Sequence, residues 1–247
     1  MLNVTARLEL FSRIVDTLAV VAEDARFEFD ESGVHVRLVD TSHVAMIRMD
    51  IDAAAFDAWE VDEYMIGLEL VKLKNFFTNG RAKDLISMNY VPEKEICHFA
   101  LGKIKRDIRP LDPKTFNPQK PPSLDHPCSV TLRGEELAQA LKAARQVGEL
   151  VNFSVDSDQF TIHVQGNPDS VTVDFSADEL QSLKCDAPVR SQYSLSYIED
   201  LSRVFRDIES VTLGFGESYP LEINFTFEDG SGAVTYYLAP RVENDGY

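Results

Sequence analysis

Apolar and polar positions alternate from Leu2 to Leu8, the period of a strand with one buried face. From Glu9 to Ala22 the period lengthens: Leu10, Phe11, Ile14, Val15, Leu18 and Val21 form the stripe of an amphipathic helix. Alternation returns in Phe27–Asp30 and Val34–Leu38, either side of the turn Glu31-Ser32-Gly33, and again from Val44 to Ile51. A second helical stripe covers Leu68 to Thr78 and stops at Asn79-Gly80. Strands are predicted at 84–90, 96–101 and 103–109. The plan then repeats: strand 128–132, helix 134–147, strands 151–156, 159–165 and 170–176, a link over 177–190, strand 191–195, helix 196–208, and strands 210–216, 221–228 and 233–238. His35 and His163 stand 128 residues apart in matching hairpins, and Leu70 and Ile198 share that offset in matching helices. The pattern predicts an α+β chain made of a duplicated helix-and-sheet unit, a body whose function lies in its shape.

The copies are parted by Pro110 to Pro127, which holds six of the eleven prolines. Proline fixes φ and lacks an N–H, so this stretch is expected as an extended connector. The predicted division is 1–110, a connector 111–127, and 128–247.

Charge sharpens the picture. With 24 Lys and Arg against 41 Asp and Glu, the formal net charge is −17, and the average field repels nucleic acid and anionic membrane. Any nucleic-acid role requires cations gathered on one surface. At about 100° per residue, the third helix buries Leu137, Ala140, Leu141, Ala144 and Val147 and turns Lys142 outward, with Arg145 at the flank. The fourth buries Tyr197, Leu201, Val204, Phe205 and Ile208 and turns out Arg203 and Arg206 beside Glu199. The second buries Leu70, Leu73, Phe76 and Phe77, leaving Lys72 and Lys74 on its flanks, with Arg81 and Lys83 just beyond. The first offers Arg13 beside Asp16 and Glu23. Such cations are ordinary on solvated helices, yet they also suit phosphate contacts that read no base.

Other chemistry is sparse. The sequence has no GxxxxGK[ST], GxGxxG after a strand, GxSxG or HExxH, so no catalytic residue is assigned. Cys97, Cys128 and Cys185 are odd in number and form no CxxC, which fits reduced thiols, no zinc or other metal site and a cytoplasmic-type compartment. No cofactor is expected. Acidic pairs such as Asp50/Asp52 and Asp156/Asp158 are read as surface carboxylates, with a carboxylate enzyme on a duplicated body as the remote alternative.

Three segments carry a family resemblance. Val234-Thr235-Tyr236-Tyr237-Leu238-Ala239-Pro240-Arg241-Val242-Glu243 resembles the C-terminus of the archaeal and eukaryotic sliding clamps, the proliferating cell nuclear antigen family. Arg37 to Met46, with Asp40-Thr41-Ser42-His43-Val44 at its centre, resembles that family's D-x-S-H-V strand and loop. Val211-Thr212-Leu213 and Tyr219 to Ile223 supply the third match. The short tail without a basic cluster looks more archaeal than nuclear. The resemblance implies two tandem clamp domains in a homotrimeric ring, helices lining the inside around double-stranded DNA and antiparallel sheets outside. Such a ring confers processivity on DNA polymerase, is set on DNA by a clamp loader, and is nucleoid-associated, or nuclear in a eukaryote. By position, Arg13, Lys142 and Arg203 fall where the family places channel cations, with Lys72, Lys74 and Arg145 close by, while Thr78 takes a place often held by Lys.

The family also docks DNA polymerase, flap endonuclease, DNA ligase and other clients through a short peptide with a Gln plug and an aromatic turn. Matching positions are Val39, His43, Val44 and Met46, then Leu124 and Pro127 of the connector, and Pro220, Tyr237, Ala239 and Pro240. Read without the family, Val44 and Met46 are equally core residues and His43 a satisfied histidine. The connector, with Lys114, Phe116 and Lys120, departs from the family's more aliphatic and acidic pattern. For subunit contacts, the resemblance pairs strand 103–109 (Lys103, Lys105, Arg106, Arg109) with strand 170–176, which carries Asp174 and is followed by Asp178 and Glu179. A clamp-like scaffold acting in a mixed ring, or without encircling DNA, is the alternative.

Overall fold

The computed structural model describes residues 1–156, 158–227 and 230–241. The chain forms two compact units: one is Met1–Pro121 joined by the stretch ending at Ala233, and the other takes up most of the chain from Pro122. They part between Pro121 and Pro122, inside the proline-rich segment.

In the first unit the elements are β1 (Leu2–Arg7), α1 (Leu8–Leu18), β2 (Asp24–Asp30), β3 (Gly33–Val39), β4 (Ala45–Asp52), β5 (Ala58–Val61), β6 (Tyr64–Glu69), α2 (Leu70–Phe77), β7 (Leu85–Val91), β8 (Ile96–Leu101) and β9 (Ile104–Ile108). One antiparallel sheet runs β5-β1-β7-β8-β9, and a second run is β4-β3-β2-β6. Phe11, Ile14, Val15 and Leu18 of α1 and Leu73 and Phe76 of α2 are buried with Val4, Phe27, Leu68, Met88 and Phe99 of the strands.

The second unit follows the same order: β10 (Cys128–Leu132), α3 (Gly134–Arg145), β11 (Leu150–Asp156), β12 (Gln159–Gln165), β13 (Ser170–Ser176), β14 (Ser182–Cys185), β15 (Val189–Ser194), α4 (Leu195–Phe205), β16 (Val211–Phe215), β17 (Leu221–Thr226) and β18 (Gly232–Leu238). Its strands run β14-β10-β16-β17-β18 and β13-β12-β11-β15, repeating the first unit's arrangement. Leu137, Leu141, Ile198, Leu201 and Phe205 pack from the helices into a core of Val130, Phe153, Phe160, Tyr193 and Phe215.

Most predicted elements appear, with shifted bounds. The first helix stops at Leu18 rather than Ala22; Val20 and Val21 donate to Thr17 and Leu18, tightening its last turn. The second begins at Leu70, because Tyr64–Glu69 is strand directly up to it. Strands β5, β6 and β14 were not predicted: β5 and β14 have four residues each, too few to show a period, and the end of β6 was read as the start of the second helix. In α4 the buried set is Leu195, Ile198, Leu201, Ser202 and Phe205, whereas Tyr197 and Val204 are half-buried, a rotation of the predicted face.

The shared offset of 128 needs correction. The last paired residues before the turns are Asp30 with Gly33 and Asp156 with Gln159, so Gln159 stands where Gly33 does, 126 residues on. Thr161 therefore takes His35's place, and His163 takes Arg37's. The helices α2 and α4 begin 125 residues apart, so Leu70 corresponds to Leu195 and not Ile198. The slip is two residues in a strand and three in a helix. Each equals about one local repeat, so the hydrophobic pattern looks identical before and after it.

All four helices begin without a side-chain cap. Instead, the first N–H of each donates to a carbonyl just past its partner's end. Leu8 donates to Asp84 and Glu9 to Ala82, beyond α2; Leu70 donates to Glu23, beyond α1. In the second unit Gly134 donates to Ile208, and Leu195 to Glu149. The first orphan donor of each helix is thus met reciprocally within an antiparallel pair. Gly134 allows that close approach, since a Cβ there would lie 1.9 Å from the Phe205 carbonyl oxygen.

Candidate DNA and partner interfaces

The helix faces carry the candidate phosphate contacts. In the second unit, Glu135, Ala138, Gln139 and Lys142 of α3 face Glu199, Ser202 and Arg203 of α4, with Arg206 at its end, across a shallow groove. Lys142, Arg203 and Arg206 are exposed there. Arg203 has a long contact to Asp200, 3.5 Å. Arg145 is committed within the fold: its Nε lies 3.3 Å from Glu199, tying α3 to α4. In the first unit Lys74 reaches Asp16 at 2.8 Å, tying α2 to α1, and Lys72 pairs with Glu69. Arg13 is half-buried on α1, and Arg81 is exposed beyond α2.

The two helix pairs have opposite polarity. Counting from the helix starts, Asp16 of α1 corresponds to Lys142 of α3, and Lys74 of α2 to Glu199 of α4. In the first unit the cation at this place is answered by its own carboxylate; in the second, Arg145 answers the carboxylate and Lys142 is left to the groove.

The partner-peptide candidates are described unit by unit. In the first, Val39 ends β3 and Met46 lies on β4, with a tight loop between. Asp40, only 8% exposed, organises it: its carboxylate accepts the N–H groups of Ser42 at 3.2 Å, and of Val44 and Ala45 at 2.7 Å each. His43 takes φ 55° and is exposed; Val39, Val44 and Met46 are half-buried. Sequence reasoning passed over Asp40 as a working residue, although an Asp two and four residues before such N–H groups is a known turn former.

In the second unit Pro220, Tyr237, Ala239, Pro240 and Leu124 are half-buried and Pro127 is exposed. Arg241 N–H donates to the Gln192 carbonyl at 2.7 Å, pinning the chain just after Ala239-Pro240; the tail beyond Arg241 lies outside the described residues. His126, with a 9% exposed side chain, donates from Nε2 to the Pro220 carbonyl at 3.0 Å and meets the Tyr219 ring edge-on. The Tyr193 hydroxyl donates to the Tyr219 carbonyl at 3.0 Å, and burial pushes its phenol up to about 12. His126 had no local signal, because its partner is 94 residues away.

The connector's first part belongs to the first unit. Leu111 pairs with Gly67 on β6, and the Phe116 ring lies so close that a Cβ at Gly67 would come within 2.7 Å of it.

The interface candidates lie on sheet edges: β9 ends the first unit's sheet, and β13 ends a run in the second. Lys103, Lys105 and Arg109 are exposed, but Arg106 turns back to donate to the Lys72 carbonyl at 2.9 Å. Asp174 is exposed and accepts the Thr161 hydroxyl; Asp178 is exposed, and Glu179 accepts the Ser176 N–H and hydroxyl. Ile104, 43% exposed, adds an apolar position on β9.

Among the described residues no cluster of His, Cys, Asp and Glu could hold a metal ion, and no helix is long and apolar enough to cross a membrane.

Known proteins resemble this chain along its whole length. The description "Proliferating cell nuclear antigen, N-terminal domain" matches residues 2–110. The DNA polymerase sliding clamp of Methanosarcina barkeri is 31% identical over 99% of this chain and all of its own length. That of Methanococcoides burtonii is 30% identical with the same coverage. Among solved structures, the A. fulgidus PCNA bound to the C-terminal region of FEN-1 superposes with a TM-score of 0.92 at 26% identity, covering 99% of this chain and all of that one. PCNA from Thermococcus kodakaraensis shares the fold, with a TM-score of 0.89 at 22% identity, over 98% of this chain and all of that one.

Proposed function

This chain belongs to the DNA polymerase sliding clamp family, and from that premise we propose that three copies close head to tail around duplex DNA and hold replication enzymes there. The observation that carries this is the helix groove: a chain of net charge −17 turns Lys142, Arg203 and Arg206 to solvent along one groove between α3 and α4. Cations at the helix faces suit a wall that meets phosphates without reading bases. Topological linkage needs no tight binding, so a few cations that ease sliding suffice. No step of this role is catalytic.

Closure uses β9 of one subunit against β13 of the next. Edge strands leave N–H and C=O groups to pair, and basic Lys103, Lys105 and Arg109 opposite acidic Asp174, Asp178 and Glu179 select the partner. Clients (a DNA polymerase, a flap endonuclease, a ligase) insert a short aromatic peptide. In the first unit Val39, His43, Val44 and Met46 receive it. In the second the receiving residues are Leu124, Pro127, Pro220, Tyr237, Ala239 and Pro240. Half-buried aliphatic and Met surface accepts aromatic anchors well. The FEN-1 segment on the A. fulgidus relative supports this assignment.

The test is topological. Loaded by a clamp loader onto circular DNA, the protein remains bound through gel filtration and leaves once the circle is cut. Retention that survives cutting, or no retention on circles at low salt, overturns the encircling role. Stimulation only after mixing with a second clamp-like chain identifies the mixed-ring alternative.

A further inference from the structure

Cys128 on β10 and Cys185 on β14 are direct partners across the antiparallel ladder. The two strands bring together, as directly opposed partners, thiols 57 residues apart in sequence. Opposed residues of an antiparallel pair have Cα atoms about 4.5 or 5.5 Å apart, according to their place in the ladder. Both separations fall within the roughly 4.4–6.8 Å that a disulfide spans, and side chains at opposed positions share one face. The sulfurs differ in access. Cys128 is buried, while Cys185 is half-exposed on the strand that ends this run of the sheet, its Sγ–H donating to the Ala187 carbonyl at 3.1 Å. Cys97 lies in the other unit, buried on β8.

We infer that Cys128 and Cys185 are a reversible oxidation site, closed by small-molecule disulfides such as oxidised glutathione. The Cys185 thiolate attacks one sulfur of the reagent, forming a mixed disulfide and releasing one thiol. The Cys128 thiol loses its proton and its sulfur attacks Cys185 Sγ. The Sγ–Sγ bond forms, the mixed disulfide breaks, and the second small thiol leaves. Two protein thiols are oxidised and one reagent disulfide is reduced to two thiols. Burial raises the Cys128 thiol above its ordinary range, so this second step is the slow one. The bond fastens the terminal strand β14 to β10 and closes a long loop containing α3 and β11–β13.

Incubating the purified chain with oxidised glutathione, then counting free thiols and mapping peptides by mass spectrometry, tests the site. The free-thiol count falls from three to one, a peptide pair joins Cys128 to Cys185, and dithiothreitol restores all three. Closing a loop of this length raises Tm by on the order of 5–15 °C, and the rise disappears on reduction. Cys97→Ser leaves the result unchanged. Cys185→Ser, at the half-exposed position, abolishes both bond and Tm shift while folding normally, even should Cys128→Ser not fold. A stable glutathione adduct on Cys185, a bridge through Cys97, or three intact thiols after prolonged incubation overturns the inference.

Discussion

Single side chains set the shape of the surfaces that matter. Asp40, itself nearly buried, holds three backbone N–H groups of an exposed loop, so removing its carboxylate leaves donors unmet. Asp40→Ala is expected to cost about 1–3 kcal/mol in chemical denaturation and to weaken client-peptide binding, with Asp40→Asn intermediate; unchanged stability removes its organising role. The turn before β3 has a pH signature. Asp30 accepts the Ser32 hydroxyl, the Ser32 N–H and the Gly33 N–H, and the serine hydroxyl first among these holds its carboxyl below the usual 3.8. A depressed carboxylate stabilises the fold above its unfolded pKa, and that contribution is lost as pH falls through the lower, folded value. Carboxyl NMR titration should place Asp30 under 3.8, and Ser32→Ala should move it upward. The motif around Asp40 was legible in the sequence as a family mark, but its three bonds became visible only once the loop had closed. His126 was legible in no way, since what fixes it is a carbonyl a third of the chain away.

Elements carry the charge logic. Both helix pairs are bridged by an ion pair, but with reversed polarity, so equal numbers of lysines and arginines do not make equal surfaces. Lys72 and Lys74 already face Glu69 and Asp16, whereas Lys142 and Arg203 line the open groove. Replacing Lys142 and Arg203 by alanine should shorten residence on circular DNA and lower the slope of log affinity against log salt by about one to two. The Lys72 and Lys74 double variant should change both far less. Equal effects from the two pairs would refute the polarity argument. The helical stripes placed Lys142, Arg203 and Arg206 at the exposed surface, where they are found, although the buried face of α4 is rotated from the predicted one. They did not announce the ion pairs, which depend on how two helices lie side by side. The short strands β5 and β14 escaped for a related reason: four residues hold no period, and only their neighbours make them strands, while β6 was missed because its last residues also fit the stripe of the helix that follows.

At the scale of the whole molecule the duplication was plain in the sequence while its register was not. A shift of two in a strand or three in a helix returns every side chain to its own face, so only pairing could reveal the true correspondence of His35 with Thr161. Assembly is expected to be salt-sensitive, because the proposed contact sets exposed cations on β9 against carboxylates on and after β13. Light scattering should report a trimer near physiological ionic strength and smaller species as salt rises, and Lys105→Glu should mimic high salt. Arg106→Glu should also lower the stability of the first unit, since its guanidinium is spoken for by the Lys72 carbonyl. A trimer indifferent to both salt and Lys105→Glu would instead place the contact energy in apolar residues such as Ile104.

The uncapped helix starts have one more consequence. Because the opening turn of α1 hangs on carbonyls beyond α2, and that of α2 on a carbonyl beyond α1, fraying at either end strips hydrogen bonds from both. The same holds for α3 and α4. Each pair is therefore expected to melt as one cooperative block, which hydrogen exchange would show as amides of both helices exchanging together rather than end-first. Under the proposed encircling role, such pairing would keep the helix faces from unravelling piecemeal, with no side chain spent on capping their starts.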